Sequence, residues 1–132
     1  MKFKEYNPET QPSHRGPLSS PVIRLNVISG TITISKTLCE RLKITEIDRI
    51  SFLQDEDEPE NWYIEKTSKG FGLNPVQKQL GTFRFSSTST VRDIFNSVEF
   101  KGKRGNLLVA GEPTKVNGRI LHGILTSHLV NI

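Results

Sequence analysis

Val22-Ile23-Arg24-Leu25-Asn26-Val27-Ile28-Ser29-Gly30-Thr31-Ile32-Thr33-Ile34-Ser35 is the stretch that decides the fold. Val22 to Ile28 is rich in β-branched residues and partly alternating, and Thr31 to Ile34 alternates between apolar and polar. Between them Gly30 supplies the positive φ of a tight turn, so the stretch predicts a β-hairpin. Ser35 then suits a helix N-cap, because its hydroxyl can accept from the free amides of a first turn. Leu38 and Leu42 lie four residues apart on one helical face, with Glu40, Arg41 and Lys43 toward water. The helix is therefore short, Lys36 to Leu42, and stops before Ile44.

Arg49-Ile50-Ser51-Phe52-Leu53 reads as the next strand, and Trp62-Tyr63-Ile64-Glu65-Lys66 as its partner. The acidic run Asp55-Glu56-Asp57-Glu58-Pro59-Glu60 between them opposes a continuing strand through like charge and proline. Such a run can mimic a nucleic acid or hold a cation; the plainer reading is a solvated hairpin tip.

The same sentence is written twice in this chain. Gly30-Thr31-Ile32-Thr33-Ile34-Ser35-Lys36-Thr37 is echoed by Gly81-Thr82-Phe83-Arg84-Phe85-Ser86-Ser87-Thr88. Each copy precedes a helical pattern. In the second, Val91, Ile94, Phe95 and Val98 form an i, i+3, i+4, i+7 stripe, and Thr90 with Asp93 resembles a capping box. Ile23-x-Leu25-Asn26 upstream is answered by Phe71-x-Leu73-Asn74, three residues further from its glycine. Downstream, residues 50–53 match 107–110, and Glu58-Pro59 before residues 62–64 matches Glu112-Pro113 before residues 120–125. Asn117-Gly118 marks a turn in the second pair. The expected architecture is α+β and mostly β: two β-β-α-β-β units packed as a pseudo-twofold, swapped-hairpin-like barrel. Repeat one spans 21–67 and repeat two 70–128 of a single domain over 21–132. Neither unit alone would bury a sufficient core.

Residues 22–66 resemble the SpoVT/AbrB/MazE family of swapped-hairpin DNA-binding proteins. Members carry a strand, a glycine turn, a strand of the type Ile-x-Ile-Pro, a short helix ending Leu-Gly-Ile, and a strand opened by Asp. The corresponding residues are Gly30, Ile32-Thr33-Ile34-Ser35, the helix Lys36 to Leu42, Lys43-Ile44 and Asp48-Arg49-Ile50, without gaps from Arg24 to Ile50. In that family two copies interleave their hairpins into one barrel and present strands and loops to DNA. The resemblance implies that a tandem repeat lets one chain supply both halves. Arg24 matches a basic strand position that touches DNA in family members, and Arg84 adds a cation on the matching strand of the second unit. The chain departs from the family in having Thr31 after the turn glycine instead of arginine, Ser35 instead of proline, and Cys39 and Glu40 instead of basic residues. It also resembles small bacterial proteins, some of them linked to mobile elements.

At 132 residues with 34% hydrophobic content, the chain supports one modest core. No apolar run approaches a membrane span, and residues 1–20 lack the apolar segment of a secretory signal. A single cysteine, Cys39, forms no internal disulfide, which fits a reducing, cytoplasmic setting. Residues 1–20, with Pro8, Pro12 and Pro17, read as an extended or flexible arm that Phe3 and Tyr6 could anchor on the body or on a partner. The net charge of +4 is uneven. Residues 1–66 hold nine Lys and Arg against eleven Asp and Glu; residues 67–132 hold nine against three. A basic half attracts polyanions without sequence preference, or simply keeps the protein soluble.

No nucleophile elbow, phosphate-cradling glycine loop or zinc spacing occurs, and His14, His122 and His128 are scattered. The expectation is a non-enzymatic protein without cofactor or metal. Its nucleic-acid-binding residues would be Arg24, Arg84, Arg92, Lys101, Lys103 and Arg104, contacting phosphates. The run Lys101-Gly102-Lys103-Arg104-Gly105 is the most concentrated basic segment. The alternative is a protein-interaction module, antitoxin-like or structural and of mobile-element origin, whose arm wraps a protein partner. The chain would act as a monomer (a pseudo-dimer) or as a homodimer.

Overall fold

The computed structural model describes residues 21–76, 81–126 and 130–131. The expected arm over 1–20 lies outside these residues, as does His128.

The hairpin forms as its sequence requires. Strands β1 (Val22–Asn26) and β2 (Thr31–Ile34) pair antiparallel, with Asn26 opposite Thr31. Asn26 holds the turn: its Oδ1 accepts from the backbone N–H of Ile28 at 2.9 Å, and its carbonyl accepts from Gly30. Gly30 takes φ 69°, a conformation that L side chains rarely adopt. Helix α1 (Lys36–Leu42) follows, capped as expected: Ser35 Oγ accepts from Leu38 N–H at 3.2 Å and from Val22 N–H at 3.0 Å. One buried hydroxyl thus ties the helix start to the first strand. Lys43 turns left-handed (φ 55°, ψ 46°) and ends the helix.

Strands β3 (Arg49–Gln54) and β4 (Trp62–Lys66) form the second hairpin. The acidic run is its connection, with Asp55 Oδ1 accepting from the backbone N–H of Asp57 and Glu58. β5 (Phe71–Gly72) and β6 (Asn74–Pro75) are short, and β7 (Phe83–Ser86) leads into α2 (Thr88–Ser97). The capping box expected at Thr90 is corrected. The helix starts three residues earlier, with Ser87 at the N-cap, where Ser87 N–H is committed to the Gly30 carbonyl at 2.8 Å. Thr90 lies inside the first turn, its hydroxyl 2.7 Å from that of Ser87.

β8 (Arg104–Val116) and β9 (Arg119–Ile124) complete the barrel, and β10 (Val130–Asn131) continues along β8. The echo sets Glu112-Pro113 against Glu58-Pro59 of the acidic connection, but here the chain stays in β8. The strand runs through Pro113 with a register irregularity between Val109 and Pro113, where a missing N–H is tolerated.

All pairings are antiparallel, and the sheet runs β5-β3-β4-β9-β8-β1-β2-β7-β6. Its two ends, β5 and β6, are consecutive pieces of the chain joined at the buried Leu73. The sheet is therefore a nearly closed barrel whose seam is bridged covalently. Inside lie Ile23, Leu25, Ile32, Ile34, Ile50, Ile64, Phe83, Phe85 and Leu107, with Leu38 of α1 and Val91, Ile94 and Phe95 of α2 joining the same core. Phe71 stacks on Phe85 at 4.8 Å and Phe52 approaches the same ring at 6.1 Å, so aromatic contacts cross the seam from within. The fold is thus α+β and mostly β, as expected. Among the described residues no helix is long and apolar enough to cross a membrane.

Candidate nucleic-acid interface

Strand alternation creates the candidate face. On β1, Ile23 and Leu25 are fully buried, so Arg24 and Asn26 point away from the core. Residues paired across an antiparallel sheet share a face. The pairings therefore generate a transverse row, Asn106–Arg24–Thr33–Arg84–Asn74, across β8, β1, β2, β7 and β6. Two residues along the strands lies a second row, Arg104–Asn26–Thr31–Ser86. Neither row contains a carboxylate.

Arg24 and Arg84 flank Thr33, which puts their Cα atoms two strand spacings apart, about 10 Å. Arg24 Nε donates to Asn106 Oδ1 at 3.3 Å, which holds the guanidinium across the sheet. Val27 N–H donates to the Lys103 carbonyl at 2.8 Å and so fixes the basic loop beside the β1–β2 turn. Lys101, Lys103 and Arg104 are exposed. Among the described residues the ion pairs are Lys66–Asp48 and Arg119–Glu65, and neither involves an expected phosphate ligand. The fold thus brings Arg24, Arg84 and Arg104 onto one outer face, with the 101–103 loop at its margin. Arg92 stands apart, exposed on α2, whose packed residues are Val91, Ile94 and Phe95.

The sequence reading missed Thr33, Asn26, Asn106 and Asn74 as members of this face. Alternation in residues 31–34 already pointed Thr31 and Thr33 outward. Asn106 carried no local signal, because its neighbour Arg24 is 82 positions away in the chain.

The expected polar chemistry elsewhere is structural. Cys39 is buried, which pushes its thiol pKa up to about 11, with the Glu40 carboxylate raising it further. It is a packed side chain, not a thiolate. His122 is half-buried, with Nδ1 3.2 Å from the Ala110 carbonyl. Among the described residues no group of three or more His, Cys, Asp or Glu could hold a metal ion.

A second charged feature locks the far hairpin. Arg119 grips Glu65 with two bonds, Nη2 to Oε1 at 2.6 Å and Nε to Oε2 at 2.9 Å. These bonds hold the Glu65 carboxyl below its ordinary pKa, against the opposing effect of its burial. A depressed folded value means this stabilisation is fully present above about pH 4.5 and is lost as pH falls through the folded value. Glu65→Gln is therefore expected to lower the thermal midpoint at neutral pH. The gap to wild type should close as the pH drops below 4. Parallel melting curves between pH 7 and about pH 3 check this; a gap constant with pH would mean that the bond pair contributes nothing.

Comparison with protein-family models, curated proteins and solved structures found no match to this chain.

Proposed function

We propose that the chain is a non-enzymatic nucleic-acid-binding protein of transcription-regulator type, built as a pseudo-twofold swapped-hairpin barrel. Arg24, Arg84, Arg104, Lys101 and Lys103 meet the phosphate backbone. The observation that carries the function is the acid-free outer face, in which cations without carboxylate partners are spread over adjacent strands. Such a surface gains from a polyanion through counterion release.

The strand pairings support the twofold reading. The echo equates Thr33 with Arg84, and these two residues face each other in β2–β7. Exchanging the units turns the Ile32–Phe85 pair into Phe83–Ile34, which also occurs. It turns Ile23–Leu107 of β1–β8 into Phe71–Ile50 of β5–β3, which occurs as well. A second crossing falls at β4–β9, where Tyr63 faces Gly123. The exception is β6–β7: exchange of Asn26–Thr31 calls for Asn74–Thr82, whereas Asn74 faces Arg84. The longer connection of the second unit takes up this two-residue shift. The echo glycines add reciprocity. A side chain on Gly30 would strike Thr88 at the start of α2, and one on Gly81 would crowd Lys36 at the start of α1.

The test is a fluorescence-anisotropy titration of a mixed-sequence duplex at about 50 mM salt, repeated as salt rises. Five phosphate contacts give a slope of log K against log salt of at most about −4.5. Micromolar binding with a slope between about −3 and −4.5 is expected. An absence of binding at low salt overturns the reading.

The β8–β9 tip favours a second reading, a protein-interaction module. Residues 111–120 are all exposed, including Val116 (44%) and Ile120 (54%), on a hairpin turned by Asn117 and Gly118. A stoichiometric protein retained after nuclease treatment would favour this reading.

A further inference from the structure

The pseudo-dyad makes it possible to compare the two sides of the basic face position by position. The pairs Ile23–Leu107 and Phe71–Ile50 align β8 with β3, Leu107 corresponding to Ile50. Counting back by the same offset past the strand starts sets Arg104 against Ile47 and Lys103 against Glu46. The helix ends, where Lys43 and Glu99 turn left-handed and the N–H groups of Ile44 and Phe100 bond back to Cys39 and Phe95, set Lys101 against Thr45. On the paired strands Arg24 corresponds to Gly72. Four cations on one side thus face an isoleucine, a threonine, a glycine and a carboxylate on the other. The counterpart of Asn106 is Arg49, whose Nη1 is turned onto the Gly70 carbonyl at 3.3 Å. Lys36 and Lys43 near the second side are accompanied by Glu40 and Glu46 around the same shallow groove. Only Arg84, with Thr33 opposite, sits on the axis itself.

We infer that the polyanion lies on one side of the pseudo-dyad, over β1, the start of β8 and the 101–103 loop, so that one chain makes a directional contact with a single stretch of backbone. This inference rests on the proposed nucleic-acid function. A twofold-symmetric protein surface matches a palindromic site. On the proposed pseudo-twofold reading the strand pairings are related but the charge is not, so the fitting ligand is a non-palindromic backbone segment. At 0.1 M salt the Debye length is about 10 Å, so each cation acts chiefly on the backbone segment nearest to it.

Cross-linking from matched positions tests this. Ser29, on the turn beside Lys103, and Glu46, the counterpart of Lys103, are both exposed. Ser29→Cys and Glu46→Cys are each labelled with a benzophenone; Cys39 is buried and its thiol stays protonated, so the introduced thiol takes the label. The probe is a labelled mixed-sequence duplex of about 20 base pairs at low salt. The Ser29→Cys conjugate is expected to cross-link at least about tenfold more than the Glu46→Cys conjugate. Arg49→Ala should leave the affinity within about twofold of wild type, while Arg104→Ala weakens it by about threefold to tenfold. Equal cross-linking from both positions, or equal losses in the two alanine variants, overturns the one-sided contact while leaving nucleic-acid binding standing. If wild-type protein fails to shift the probe at all, the function itself falls, and the one-sided contact with it.

Discussion

Phe85→Ala is expected to cost about 3–5 kcal/mol of folding stability, a large share of the roughly 5–15 kcal/mol typical of a domain. The expectation follows from where the ring sits. Phe85 is 4% exposed and stands on β7, while its stacking partner Phe71 stands on β5 and its second neighbour Phe52 on β3. β7 and β5 belong to opposite ends of the sheet path, which meet at Leu73 and these rings. Removing the ring opens a cavity at the seam and forfeits the aromatic contacts that hold it shut. Urea unfolding should show a lower midpoint, with a thermal midpoint about 10–20 °C lower. A loss below about 1 kcal/mol would mean that the seam is not closed by these rings.

That seam shows where the sequence is legible and where it is not. The first half of the chain, from Val22, reads almost directly. Gly30 fixes the turn, Ser35 caps α1, and Lys43 ends it, each through bonds within a few residues of chain. Val22 N–H bonding to Ser35 Oγ adds only a thirteen-residue reach. The second half reads less well because its elements are defined by distant partners. Ser87 rather than Thr90 caps α2 because Gly30, 57 positions earlier, takes the Ser87 amide. β8 runs through Gly111-Glu112-Pro113, a local breaker by composition, because β1 and β9 pair with its two halves. The candidate face is legible only in part for the same reason. Arg24, Arg84 and Arg104 stand out as cations, but their meeting on one face needs, beside the local hairpin, pairings across 51 to 82 residues of chain. The internal echo sets Thr33 and Arg84 at like positions, and these two residues pair in β2–β7, a contact that the echo itself did not name.

Replacing Lys101, Lys103 and Arg104 together with glutamate is expected to weaken duplex binding by about a hundredfold or more at 50 mM salt. Three of the five proposed phosphate contacts vanish and three repulsive charges take their place. The slope of log K against log salt should flatten from about −4 toward about −2, leaving Arg24 and Arg84. Folding should survive. All three side chains are exposed, and the bond that fixes this loop to the hairpin is donated by Val27 N–H to the Lys103 carbonyl, a backbone group that the substitution retains. Surface changes of this kind stay within about ±0.5 kcal/mol each, so an unchanged melting curve serves as the control. Adding Arg24→Gln should lower the affinity further than the triple change alone, because Arg24 joins the same side of the face two residues from the pairing partner of Arg104. A triple variant that binds as wild type would move the site off β8. If that variant also kept the steep salt slope, Arg92 and the cations around α1 would become the candidates, since they carry the remaining exposed positive charge near the two helices.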